Sequence, residues 1–171
     1  MAYTSSLQHE PSRETAPSGA PGASERTKEA IVQSEALCRA KGARLTPIRR
    51  RVLEMLHGLD RPVGAYDLVD LFGAQGRRMA PITIYRALDF LIEQGLVHRL
   101  ASRNTYIASS GATSGRETTA FLICDGCGDV TEVTSPDVAD TVLKVLREQG
   151  YQPRSRILEI TGRCAHCQDV H

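Results

Sequence analysis

Residues 81–108 read PITIYRALDFLIEQGLVHRLASRNTYIA. The first half predicts a helix from Pro81 to about Gly95, opened by a proline at the first helical position and stopped by a glycine. Within it Ile84, Ala87, Leu88, Leu91 and Ile92 fall in one stripe at 3.6-residue periodicity, while Arg86, Asp89 and Glu93 fall opposite. Such a helix buries one side and presents the other. Directly after it, Leu96–Leu100 and Thr105–Ala108 flank the polar turn Ala101-Ser102-Arg103-Asn104, the pattern of a β-hairpin.

Three helical segments precede this unit. One runs from about Lys28 to Ala40 and stops near Gly42, and a second opens at Thr46-Pro47 with Ile48, Val52, Leu53 and Leu56 on one face. The third covers about Ala65 to Phe72. Helices followed by a hairpin make a winged helix, here over residues 28–108. In a helix-turn-helix protein the first residues of the second helix reach base edges in the major groove. Those residues are Ile82, Thr83 and Arg86, with Tyr85 on the flank. Arginine can donate two hydrogen bonds to guanine, and tyrosine can pack on a thymine methyl or bond a phosphate. A core-edge role for Tyr85 and an ion pair of Arg86 with Asp89 fit the same residues. On the wing, Arg103 stands where a phosphate can lie.

Net charge is +1, but it divides unevenly along the chain. Residues 28–110 carry 13 Lys/Arg against 8 Asp/Glu, and residues 117–171 carry 5 against 9. The basic half is the one expected to face a polyanion. Within residues 36–53, Arg39, Lys41, Arg44, Arg49, Arg50 and Arg51 occur with no acid among them, a footprint for phosphate contacts or a solvated helix face.

Downstream lie two Cys-x-x-Cys clips, Cys124/Cys127 and Cys164/Cys167. Four thiolates in two short clips are the ligand set of a closed tetrahedral zinc site, which leaves no position for water and so contributes folding energy rather than catalysis. Two disulfides, redox pairs or iron in a similar cage are the competing uses of the same spacing. Gly126 and Gly128 give the first clip its backbone freedom. The fifth cysteine, Cys38, sits among Ala30, Ile31, Ala36 and Leu37 and reads as a small buried apolar residue.

Around the clips, Thr119–Ile123, Asp129–Val133 and Arg156–Thr161 predict strands, and about Pro136–Gln149 predicts a helix with Val138, Val142, Val145 and Leu146 on its apolar side. A unit of this size, residues 117–171, is marginal alone and calls for a metal staple and subunit association. Residues 109–116 read as a hinge and residues 1–27, rich in Ser, Pro, Gly, Ala and Thr, as a disordered tail. The expected fold class is therefore α+β: an N-terminal winged-helix DNA-binding domain, then a small α/β dimerisation domain with a four-cysteine zinc site. Apolar residues make up 41% of the chain and aromatics only 5%, so aliphatic side chains must fill the core. No apolar run approaches the roughly 20 residues needed to cross a bilayer, and the N-terminus lacks the apolar core of a secretory signal. The expected location is the cytoplasm, whose reducing conditions suit thiolate ligands.

Four separated motifs carry a resemblance. Arg44-Leu45-Thr46-Pro47-x-Arg49, Ala65-Tyr66-Asp67-Leu68, Thr83-x-Tyr85-Arg86-Ala87-Leu88-Asp89-Phe90-Leu91 and Ile123-Cys124-x-x-Cys127-Gly128 resemble the ferric uptake regulator family, over about residues 30–167. Ala-Tyr-Asp-Leu, Arg-Ala-Leu-Asp-Phe-Leu and Gln-Gly-Leu-Val-His are most similar to its zinc uptake regulator branch. The resemblance implies a metal-loaded homodimer that binds a palindromic operator in double-stranded DNA and represses metal-uptake genes. It implies that Arg44 enters the minor groove, that Tyr85 and Arg86 contact base and phosphate, and that Cys124, Cys127, Cys164 and Cys167 hold structural zinc.

The resemblance also implies a second, regulatory metal at the hinge, zinc in this branch. Its family ligands are a His after the recognition helix, a Cys at the end of the wing, a His before the first clip and a Glu after it. His98 and Glu132 match the first and last, but Ser109 stands at the Cys position and Glu117 at the second His. His98, Glu117 and Glu132 then form a candidate set of harder, oxygen-rich character. A weaker zinc sensor, a sensor of a harder metal and a regulator without this site all fit it; His57, His166 and His171 are alternative donors. The His-rich stretch expected of iron or peroxide sensors is missing from residues 117–123, which ranks zinc above iron. No nucleophile, acid pair or open metal site marks an enzyme, and no small-molecule substrate is implied. An iron- or manganese-responsive regulator, or a zinc-stapled nucleic-acid-processing factor, is the alternative.

Overall fold

The computed structural model describes residues 21–59, 61–110, 118–153 and 156–168. Four helices come first: α1 (Pro21–Ala40), α2 (Pro47–Leu59), α3 (Ala65–Ala74) and α4 (Pro81–Glu93). They are followed by the hairpin β1 (Val97–Leu100) and β2 (Thr105–Ala108), paired in antiparallel register with His98 opposite Ile107. Backbone bonds between Val63 and Tyr106, at 2.9 and 2.8 Å, add a one-residue third rung to this wing. A single bridging residue carries no periodicity, so nothing in the sequence announced it.

The N-terminal helix corrects one expectation. It starts at Pro21, so residues 21–27 belong to α1 and not to a tail ending at residue 27. A proline at the helix start, followed by the good helix formers Ala23, Glu25, Arg26 and Lys28, explains the extension. Lys28 and Glu25 add an exposed pair at 3.3 Å. Residues 1–20 lie outside the described residues, as do 111–117, which hold most of the expected hinge.

The helical core is mostly aliphatic, as the scarcity of aromatics required, with Phe72 and Tyr106 its buried aromatics. Ile31 and Cys38 from α1, Val52, Leu53 and Leu56 from α2, Leu68 and Phe72 from α3, and Ile84, Leu88 and Leu91 from α4 are all fully buried and pack together. Cys38 is thus a core residue, and burial pushes its thiol pKa up.

The second half is a three-stranded sheet in the order β4-β3-β5, with β3 (Thr119–Cys124) central, β4 (Val130–Thr134) antiparallel to it and β5 (Ile157–Gly162) parallel. Between β4 and β5 runs α5 (Pro136–Glu148), and a single turn, α6 (Ala165–Gln168), carries the second clip. Phe121 and Ile123 on one face of β3 form a separate buried cluster with Leu100 from the wing. The wing therefore docks on the sheet. At roughly 1.5–3 kcal/mol for a buried aliphatic side chain, Leu100 alone is a modest anchor. On the opposite face the cross-strand neighbours Leu122 and Ile160 are exposed, and α5 buries no residue, leaving Val138 and Val145 exposed.

Candidate metal centres and nucleic-acid interface

The four-cysteine cluster forms where β3 ends and α6 begins. All four Sγ atoms lie within 4.8 Å of one another, and Cys127 and Cys164 Sγ are 3.8 Å apart. Zinc–sulfur bonds of about 2.3 Å at the tetrahedral angle put sulfurs about 3.8 Å apart, so the residues present fit a zinc ion. All four thiols are free, which sets aside the disulfide reading. Backbone geometry builds the site. A Cβ at position 126 would stand 2.9 Å from Cys167 Sγ, so only glycine admits the second clip there, and Gly128 turns the chain with φ +81°. The Cys164 amide donates to Cys124 Sγ at 3.3 Å. With the amides of Cys127 and Gly126, it lowers the Cys124 pKa to about 6, preparing a thiolate. Cys167, crowded by the other thiols and by burial, is pushed up to about 12; bringing four thiols together without a cation is unfavourable.

A second cluster lies where wing meets sheet. His98 on β1 is 7% exposed, and its Nε2 is buried with no hydrogen-bond partner. That atom faces Glu132 Oε1 on β4 at 4.0 Å. The ring is tilted against Phe121, centroids 5.2 Å apart. The other oxygen, Oε2, accepts from the amide and hydroxyl of Ser110 at 3.0 and 2.7 Å. Burial pushes the imidazole pKa down, against a smaller upward pull from Glu132, so the ring is held neutral, the form that ligates metals. Two ligands of one tetrahedral ion stand about 3.3–3.5 Å apart, so a small closure would bring both to bonding distance. Ser109 is buried beside them, its amide bonded to Leu96 O at 3.0 Å. Glu117 lies outside the described residues, as does the alternative donor His171. His57 lines a cavity with Ser109 and Ser110, whereas His166 is exposed on α6 by the cysteines.

The surface of α4 carries the residues expected to meet DNA. Ile82 and Arg86 are exposed, Thr83 and Tyr85 half-buried, and Tyr85 packs edge-on against the exposed Tyr66 of α3 at 6.4 Å. Arg44 is exposed ahead of α2, and its carbonyl accepts from Arg49 Nη1 at 2.8 Å.

Two of the basic features make contacts within the chain. The run Arg49–Arg51 is not a free phosphate footprint: Arg49 lies over the Phe90 ring at 3.5 Å, Arg50 pairs with Glu35 and Glu54, and Arg51 with Glu54 and Gln75. Glu54, one turn on, and Glu35 on α1 claim the guanidinium groups of Arg50 and Arg51. Arg103 donates to Cys124 O at 2.8 Å and Gly128 O at 3.4 Å, both on the sheet domain. Arg77 and Arg78, in the loop before α4, are both exposed. Their signal was an Arg-Arg pair just ahead of the predicted helix N-terminus. Glu159, which binds the wing turn, had no signal in the sequence at all.

The chain matches the Ferric uptake regulator family over residues 40–161. The Zinc uptake regulation protein of Escherichia coli strain K12 is 38% identical over 144 residues, covering 84% of this chain and 84% of that protein. A solved structure described as a zinc uptake regulator complexed with zinc and DNA superposes with TM-score 0.77 at 38% identity, over 84% of this chain and 96% of the other. The crystal structure of holo XcZur does so with TM-score 0.74 at 38% identity, over 82% and 97%. The family match takes in α2, α3, α4, the wing and the first cysteine clip, and ends ahead of the second clip. The chain belongs to the ferric uptake regulator family.

Proposed function

We propose that this protein is a cytoplasmic, zinc-responsive DNA-binding repressor of metal-uptake genes that acts as a homodimer. The observation that carries the reading is the orphaned, buried His98 Nε2 on the wing facing Glu132 on the sheet, a pair of donors that joins the DNA-binding half to the other half. When bound there, an ion supplies the positive charge that satisfies both donors. Glu117, from its place in the sequence, is the third proposed ligand. His98 lies on the strand directly after α4, so a shift of the wing toward Glu132 moves the helix that presents Thr83, Tyr85 and Arg86 to the bases. If metal binds more tightly in the arrangement that suits DNA, DNA affinity rises by the same factor.

The cysteine cage serves a different end. With four thiolates and no open position, its proposed zinc, one per chain, belongs to the folded state rather than to sensing. The exposed apolar residues Leu122 and Ile160 on the sheet and Val138 and Val145 on α5 are the surface a second copy covers. On the DNA side, Arg44, Arg77 and Arg78 take phosphates or the minor groove beside the α4 contacts.

The hinge donors support a second reading for the sensed metal. Among the described residues they are one imidazole, one carboxylate and the serines 109 and 110, a set without sulfur that suits manganese or ferrous iron as well as zinc. Titrating zinc, manganese and iron separately into protein with its cysteine cage filled, in the presence of a palindromic duplex, distinguishes them. Zinc is expected to raise affinity at the lowest free concentration. Metal-independent binding, or cleavage of the duplex, would sink the sensor reading.

A further inference from the structure

The turn of the wing is held by the metal domain at two points. Glu159 on β5 accepts from the amides of Ala101 at 2.7 Å and Ser102 at 3.0 Å, and also from the Ser102 hydroxyl. Burial pushes its carboxyl pKa up, but these three donors outweigh that and hold it below the usual carboxylate range. From the next residue, Arg103 reaches the first cysteine clip. Its Nη2 donates to Cys124 O at 2.8 Å and approaches Asp125 Oδ1 at 3.5 Å, while Nη1 donates to Gly128 O at 3.4 Å. The Cys124 carbonyl also accepts from the Gly128 amide at 3.0 Å, the bond that closes the clip. Arg103 therefore holds the clip through the same carbonyl that closes it.

We propose that Arg103 and Glu159 are positioning residues that latch the wing to the cysteine clip, so that an intact clip sets where the DNA-binding half stands. The proposal deepens the DNA-binding reading and rests on it. Three features favour a latch over a phosphate contact for Arg103. Its donors already have acceptors on the clip. Two carboxylates, Asp125 and Glu159, flank the wing turn and repel a phosphate. Beneath it Leu100, Phe121 and Ile123 are buried together, so the polar bonds fix the register of an apolar contact that is non-directional by itself.

The test uses the full chain with zinc in the cage, comparing Arg103→Ala, Arg103→Lys, Glu159→Gln and the Ala/Gln double variant. Amide exchange at residues 101–104 is measured without DNA, and duplex affinity is measured across salt concentrations. A latch predicts at least tenfold faster exchange at the wing turn in both single variants. It also predicts weaker DNA binding with an unchanged salt slope, and a double variant little worse than either single one. Arg103→Lys keeps the charge but cannot span two carbonyls, so it should loosen the turn too, and it covers the case in which alanine prevents folding. The proposal is overturned if Arg103→Ala lowers the salt slope by about one unit while wing exchange is unchanged, since that marks a phosphate contact. It is equally overturned if Glu159→Gln leaves exchange at wild-type values. Should the wild-type chain bind no duplex in any metal state, the exchange measurements still decide the latch, and it is the DNA-binding reading that fails.

Discussion

Nε2 of His98 faces Oε1 of Glu132 across 4.0 Å, with the nitrogen buried and unpartnered while Ser110 holds the other carboxylate oxygen in place. An unmet buried polar group costs about 1–3 kcal/mol. The fold tolerates that cost at the junction of its two halves, which is where a ligand can repay it.

Replacing His98 by alanine should remove metal-dependent DNA affinity and leave the fold intact. The imidazole makes no hydrogen bond through Nε2, so its loss creates no new orphan. Circular dichroism should be unchanged, and duplex affinity with and without added metal should become equal. Undiminished activation by metal would place the sensor elsewhere.

The same residue predicts a pH dependence. Burial lowers the folded-state pKa of His98 below its ordinary value of 6.5, so the unfolded chain binds the proton more readily. Its contribution to stability is fully present above about pH 6.5 and is lost as pH falls through the folded pKa. With the hinge metal-free, thermal midpoints of the wild type should drop more steeply between pH 7 and 5 than those of His98→Ala. Parallel curves would contradict this.

Cys124→Ser should cost one zinc per chain and melt or monomerise the C-terminal half. Cys124 is the buried member of the cage and receives the Cys164 amide that ties the two clips together. Metal analysis and sedimentation read both effects, and an unaltered dimer with full zinc content would refute the structural role.

A charge at Ile160 should break the dimer without unfolding the protomer. The side chain is 54% exposed on the sheet face away from Phe121, so Ile160→Glu costs little in the protomer but buries a charge in any dimer formed through that face. Light scattering should show monomers at concentrations where the wild type is dimeric. Persistent dimers would move the interface to another surface.

At the DNA face, Arg86→Ala should cost about 1–3 kcal/mol and relax preference at one base pair. Arg77→Ala and Arg78→Ala should instead weaken all duplexes alike, each lowering the salt slope by about one unit. Equal losses on every sequence for Arg86 would make it a phosphate contact as well.

The parts of this protein that could be read from the chain are those whose signal is local. Helix punctuation such as Thr46-Pro47 and Pro81, the stripe from Ile84 to Ile92 and the hairpin around Ala101–Asn104 depend on neighbours within a few residues, and the observed elements follow them closely. The two clips were legible for the same reason: sulfur at i and i+3 is a local arrangement, and two copies suffice to propose a cage. Charge patterns were less faithful. Arg50 and Arg103 looked alike as exposed cations until Glu35, 15 residues away, and Cys124 O, 21 residues away, were seen to claim them.

Composition, periodicity and cysteine spacing were thus enough to read the winged helix, the small sheet with its four-cysteine cluster and their order along the chain. The family resemblance had already grouped His98 with Glu132, and long-range folding alone established that the wing lies on the sheet and that Glu159 grips the turn 57 residues before it. The physical reason is one of range. Hydrogen-bonded elements are dictated by residues three or four positions apart, whereas a contact between halves depends on which apolar faces, here those of Leu100 and Phe121, find each other as the chain closes.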